Sequence, residues 1–129
     1  MAGIKQVILI RRDLKMRRGK EIAQGSHASS EFLVRKLRGA APGAPVLIQL
    51  RRPEQEWLQG GMAKVCLKVP SEEELLACHR QALDQGLTSH LIRDSGKTEF
   101  GGEPTLTACA IGPDEAARID RITGHLSLY

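Results

Sequence analysis

Four consecutive apolar residues, Val7, Ile8, Leu9 and Ile10, run without a polar break into a dense cationic stretch, and this junction constrains the fold more than any other feature of the chain. A strand with one wet face alternates apolar and polar residues, so an unbroken run predicts burial on both faces, as in the interior of a parallel or mixed sheet. Residues 4–10 are therefore read as a strand. From residue 11 to residue 20 the chain carries six cations and one acid, Asp13, a net +5 in ten residues, whereas the whole protein carries only +4. Charge concentrated in this way attracts and steers a polyanion, as evenly spread charge does not.

A helix follows over residues 20–37, ending near Gly39. Lys20, Gln24 and His27 fall at i, i+4 and i+7 and share one face of it. A basic turn feeding three aligned polar groups suggests phosphate or oxyanion chemistry, and taken alone it equally describes a solvated loop before an ordinary helix. The small residues Gly25, Ser26, Ala28, Ser29 and Ser30 predict close packing of this helix on a sheet. Residues 39–45 read as a loop, and residues 53–59 as a short helix opened by Pro53 and closed by Gly60 and Gly61.

Residues 63–69 alternate in the period of a strand with one wetter face, and Lys64 and Lys68 would discourage edge pairing. Ser71 and Glu74 form a capping-box pattern that opens a helix carrying Leu75, Leu76, Ala82 and Leu83 and stopping at Gly86. Residues 88–93 and 105–111 are the remaining strands, and Asp114 is expected to cap a last helix running toward Gly124. Helices between the early strands favour parallel crossovers, while the ten residues 95–104 permit an antiparallel final pair. The expectation is one α/β domain over residues 1–129, a three-layer α/β/α sandwich around a four-stranded mixed sheet. A chain of 129 residues can bury about two-thirds of its unfolded surface in one core.

Three cysteines without a C-x-x-C pairing predict reduced thiols and a reducing compartment, and no apolar run approaches the roughly 18 residues of a membrane span. A soluble, cytoplasmic protein is expected. Only four residues are Phe, Trp or Tyr, which argues against a surface that stacks several bases; phosphate contacts should dominate any nucleic-acid binding.

Asp94, at the end of the third strand, opens the polar run Ser95, Gly96, Lys97, Thr98, Glu99, at the edge where open α/β sheets place ligands. A turn-forming Asx residue explains Asp94 as well. Gly96, Lys97 and Thr98 do not complete a phosphate-binding loop, because Leu91 stands where its first glycine belongs. The four histidines lack Cys, His or acidic partners at metal-ligand spacing, so no metal site is expected, and no G-x-S-x-G elbow is present.

With these residues in view, the chain closely resembles the type 2 peptidyl-tRNA hydrolase family. The family's R-x-D-L-K-M-G-K-G-K-x-A-A-Q-x-S-H-A is similar to residues 11–28, with Lys20, Gln24 and His27 on its lysine, glutamine and histidine. Its I-R-D-A-G-x-T-Q resembles residues 92–99. Its T-x-T and I-G-P match Thr105 to Thr107 and Ile111 to Pro113, and its closing I-x-x-[IV]-T-G-x-L-x-L matches residues 119–128. The resemblance implies hydrolysis of the ester between a peptide and the terminal ribose of tRNA, without metal or organic cofactor, by a homodimer. It places Lys20, Asp94, Thr98 and Thr107 at the reaction site, with Lys20 on a phosphate or developing oxyanion and Asp94 orienting or deprotonating the water. Thr98 and Thr107 would hold the scissile carbonyl or the water, with a threonine nucleophile, for which no activating base is evident beside it, as the alternative to water. Gln24 and His27 would shape the site or touch the tRNA end, and Arg12, Lys15, Arg17 and Arg18 would meet the tRNA backbone. Arg17 and Arg18 replace the family's usual Gly and Lys, Glu99 replaces its Gln, and the loop over residues 100–104 is one residue longer than in many members.

Overall fold

The computed structural model describes residues 3–129; the first two residues of the expected domain lie outside the described residues. Among the described residues, four strands and four helices follow in the order β1 (Ile4–Arg11), α1 (Arg18–Leu37), α2 (Arg52–Gln59), β2 (Lys64–Val69), α3 (Glu72–Asp84), β3 (Ser89–Asp94), β4 (Thr105–Glu115) and α4 (Ala116–Thr123). They form one mixed sheet in the order β2-β1-β4-β3, with β1 parallel to β2 and β4 antiparallel to both β1 and β3. The mixed α/β architecture matches the sequence reading.

The apolar run of β1 is buried because its alternate residues enter two different cores. Val7 and Leu9 join Leu67, Val69, Leu75, Ile111, Ile119 and Ile122, the core covered by α3 and α4. Ile8 and Ile10 face the other way, onto Ala28 of α1 together with Ala108 and Ala110 of β4. α2 sits beside α1, with Trp57 edge-on to Phe32 at 5.9 Å between ring centroids. Three layers result.

The last strand takes a central place and runs four residues beyond the expected end at Ile111, because Asp114 and Glu115 pair with Lys5 and Ile4. A bulge sets Gly112 and Pro113 against the single residue Gln6. Gly112 has φ +94°, and a Cβ there would lie 2.7 Å from the Lys5 carbonyl oxygen, so the bend requires glycine. Asp114 does not cap the last helix, contrary to expectation. It is 1% exposed; Oδ2 accepts from Arg51 Nη1 at 3.1 Å and Oδ1 lies 3.8 Å from Arg118, so the backbone continues its ladder and two arginines balance the buried carboxylate.

The Ser71 hydroxyl accepts from Glu74 N at 3.1 Å, as a cap should. The Glu74 carboxylate turns away from the reciprocal half of the box, to His125 Nε2 at 2.5 Å. Cys78 and Cys109 are buried apolar-type residues; burial pushes their thiols up to about 11 and about 12, and the Glu74 charge adds to the shift of Cys78. No buried side-chain nitrogen or oxygen lacks a hydrogen-bond partner among the described residues. No helix there is long and apolar enough to cross a membrane.

Candidate active site

The carboxyl ends of β1 and β3 lie at one edge of the sheet, and the chain leaving each supplies the site. Lys20 stands in the first turn of α1, Gln24 one turn later, and Asp94 is the last residue of β3. Lys20 Nζ donates to Asp94 Oδ1 at 2.8 Å and to Thr98 Oγ1 at 2.7 Å. Gln24 Nε2 donates to the same Asp94 oxygen at 3.3 Å, while Gln24 Oε1 accepts from the Thr107 hydroxyl. A carboxylate can only accept, so Asp94 sets which end of the Gln24 amide faces it. The Phe100 ring lies 5.9 Å from Lys20 Nζ and closes one side.

Asp94 Oδ2 accepts from the backbone N–H of Gly96 at 2.8 Å. The turn-forming reading of Asp94 therefore holds on one oxygen, and the other oxygen is left to Lys20 and Gln24. The Lys20 hydrogen bond, then the Gly96 N–H, the Lys20 charge and Gln24, together outweigh burial and hold the Asp94 carboxyl below its ordinary value of 3.8. The loop is shaped around Gly96, at φ +82°, whose missing Cβ would collide with the Glu103 carbonyl; Gly102 N closes the turn onto Gly96 O at 2.9 Å.

The four residues expected at the reaction centre are brought together, but not equivalently. Thr98 is exposed and Thr107 is 0% exposed, so Thr107 stands behind Gln24, out of contact with solvent. Its orientation comes from a second bulge: β3 pairs Ile92 with Ala108 and Arg93 with Leu106, leaving Thr107 as the extra residue. His27 lies outside the cluster. It is exposed and lines a depression with Ser30, Val34, Arg38 and Arg93.

Lys20 apart, the cations of residues 11–18 divide into three groups. Arg11, which sequence alone leaves in the patch, is nearly buried, forked onto Asp13 at 3.0 and 2.6 Å and donating to the Leu106 carbonyl at 2.9 Å. That fork lowers the Asp13 pKa. Arg12, Lys15 and Arg18 line an open depression of about 420 Å³ with Met16, Glu21 and Tyr129, and Arg12 stacks 5.0 Å from the Tyr129 ring centroid. Arg17 reaches the other way, 3.6 Å from Glu99. Two of the three residues that depart from the family pattern, Arg17 and Glu99, thus meet each other. Sequence reasoning missed Phe100 and the inward turn of Arg11; the D-x-G spacing of Asp94 and Gly96 was the one local signal of the loop's geometry.

The family model described as peptidyl-tRNA hydrolase PTH2 matches residues 4–129. A peptidyl-tRNA hydrolase of Methanopyrus kandleri is 48% identical over 125 residues, covering 96% of this chain and 97% of that protein. One from Methanocaldococcus jannaschii is 45% identical over 127 residues, covering 97% and 99%. Among solved structures, a protein of unknown function from Agrobacterium aligns over 97% of this chain and 96% of its own with a TM-score of 0.57 and 13% identity, a likeness of fold alone. On the matched span and these identities, the chain belongs to the PTH2 family of peptidyl-tRNA hydrolases.

Proposed function

We propose that this protein hydrolyses the ester joining a peptide to the 3′-terminal ribose of tRNA, freeing both for reuse in translation, and that its one domain does so at the Lys20–Asp94–Thr98 cluster. The observation that carries the reading is the set of hydrogen bonds of 2.7 to 3.3 Å converging on Lys20 and Asp94 where two strands end. Lys20 has three N–H donors, of which Asp94 and Thr98 take two; the third is free for the oxyanion that forms as water attacks the ester carbonyl. Thr98 accepts from Lys20 and keeps its own O–H for the carbonyl or the water. Asp94, held ionised, aligns the attacking water and anchors Lys20; its lowered pKa makes it a weak base, which favours orientation over full deprotonation.

Thr107 acts through Gln24 as a positioning residue, and His27 meets the tRNA end rather than the scissile bond. Arg12, Lys15 and Arg18 in their shared depression, with Arg17 beside Glu99, receive the tRNA backbone. In this reading the protein works in the cytoplasm, which its free cysteines favour, and as a homodimer, which rests on the resemblance alone; sedimentation at monomer mass would remove the dimer.

The deciding experiment is release of labelled peptide from N-acetyl-aminoacyl-tRNA by wild type and Asp94→Ala, with EDTA present. Rapid release by wild type that the substitution abolishes supports hydrolysis at this cluster. Tight tRNA binding with no release from either protein would leave a non-catalytic RNA-binding module.

A further inference from the structure

On the opposite side of the sheet, three side chains from two distant stretches of sequence converge. Glu74 and Cys78 stand one turn apart on α3 and point the same way, and the chain leaving α4 delivers His125 to them. His125 Nε2 lies 2.5 Å from Glu74 Oε1, Cys78 Sγ lies 3.8 Å from the same oxygen, and the three donor atoms all fall within 4.8 Å of one another. A tetrahedral cation with ligand bonds of about 2.0 to 2.3 Å separates its ligand atoms by roughly 3.2 to 3.8 Å. The observed separations, from 2.5 Å to at most 4.8 Å, bracket that spacing.

We propose that Glu74, Cys78 and His125 form a binding site for one zinc-type divalent cation. The donor set selects the metal: one sulfur, one imidazole and one carboxylate suit zinc, whereas magnesium and calcium take oxygen alone. A thiolate and a carboxylate also neutralise a 2+ charge at the edge of the core. Two ligands a helical turn apart, completed by a third from elsewhere in the chain, repeat the logic of helix-borne zinc sites.

Cys78 closes the site from the core, being 1% exposed, while the Glu74 and His125 side chains are 31% and 58% exposed and leave a route in from solvent. Water takes the fourth position. In the free protein, the Glu74 carboxylate accepts from the His125 ring and the Cys78 thiol. On binding, the Sγ–metal bond forms as the thiol proton leaves to solvent, and His125 gives up the Nε2 proton to solvent, keeps or takes one on Nδ1, and coordinates through Nε2.

The site would act as a clasp. Beyond His125, Ser127 O accepts from Lys68 N and Tyr129 N donates to Cys66 O, both at 3.0 Å, so the segment runs along the edge of β2. Its Tyr129 hydroxyl donates to Glu21 on α1, and its ring carries Arg12. A cation at His125 therefore fastens one end of a strap whose other end supports the cationic loop.

The test is a Co²⁺ titration of the whole protein, freed of metal by chelator and dialysis. One equivalent should produce a near-ultraviolet thiolate-to-cobalt band with four-coordinate visible bands, and Zn²⁺ should displace it. Cys66→Ser, which removes an exposed thiol outside the site, should keep the band, and Cys78→Ala should lose it. His125→Ala changes an exposed residue and should fold normally. Outer-sphere partners alone are worth about 10–100-fold in metal affinity, so loss of this ligand should weaken binding by at least roughly tenfold. A missing near-ultraviolet band, a band that survives Cys78→Ala, or wild-type affinity in His125→Ala would each overturn the site. Peptide release in EDTA is a separate readout, so either proposal can fail without the other.

Discussion

At the scale of single residues, the site works by dividing hydrogen bonds among few groups. Lys20 spends one donor on Asp94 and one on Thr98, and in the proposed function the third meets the substrate. Lys20→Ala should lower the single-turnover rate of peptide release by about 100-fold or more while tRNA affinity falls much less, since removing one oxyanion donor costs about that much. An undiminished chemical rate would reject the role. Asp94 yields a pH prediction whose sign follows from its lowered pKa. A carboxyl depressed by folding contributes stability that is fully present above its unfolded value, near 3.8, and disappears as pH falls through the lower folded value. The difference in urea midpoint between wild type and Asp94→Asn should therefore stay constant from pH ~7 to ~5 and shrink only at more acid pH. A difference that shrinks near neutrality would contradict the depressed pKa. Thr107→Val keeps the shape and deletes the hydroxyl, leaving Gln24 Oε1 without its buried partner. The expected cost is about 1–3 kcal/mol of stability, with kcat reduced more than KM, the pattern of a positioning residue. A changed KM at constant kcat would place Thr107 in binding instead.

At the scale of elements, the helix and strand identities follow local pattern, and their departures from pattern build the site. The Lys20 and Gln24 spacing on α1 and the position of Asp94 at a strand end are visible in sequence because each depends on geometry within one turn or at one strand terminus. The bulge at Thr107 is not visible, since an extra residue is defined only against the partner strand it fails to match. The same holds for the stretch Gly112, Pro113, Asp114, whose composition suggests the start of a helix while pairing with β1 keeps it in the sheet. The loop between β3 and β4 depends on Gly96 for both its positive φ and its approach to Glu103. Gly96→Ala should cost about 1–3 kcal/mol, read as a lower urea midpoint, and should slow peptide release by displacing the N–H that holds Asp94. Unchanged stability and rate together would show that the loop accommodates the methyl group.

At the scale of the whole molecule, charge and chemistry are segregated. The cations Arg12, Lys15 and Arg18 cluster beside the start of α1, next to a candidate reaction centre whose own charges are paired. If these residues meet phosphates, tRNA affinity should fall with salt, and replacing the three together should shallow the log–log slope by roughly 0.7 to 0.9 for each phosphate they had neutralised. A slope unchanged by the triple substitution would move the tRNA backbone elsewhere on the surface. Arg11 should contribute nothing to that slope, because its guanidinium is turned inward onto Asp13 and the Leu106 carbonyl.

The amino-acid sequence by itself determined the kinds and order of the elements, the double burial of β1, the concentration of positive charge and the family motifs, all properties of near neighbours along the chain. Only the tertiary structure decided that β4 lies between β1 and β3, that Asp114 faces Arg51, that Arg11 points inward and that Thr107 backs Gln24. It alone brought His125 to Glu74 and Cys78, where spacing along the chain had argued against a metal site. The physical reason is range. Lys20 meets Asp94 across 74 residues and Thr107 meets Gln24 across 83, and pairings of that separation depend on strand order and register. Those are chosen when both faces of one sheet are packed at once, and no local window of sequence carries that choice.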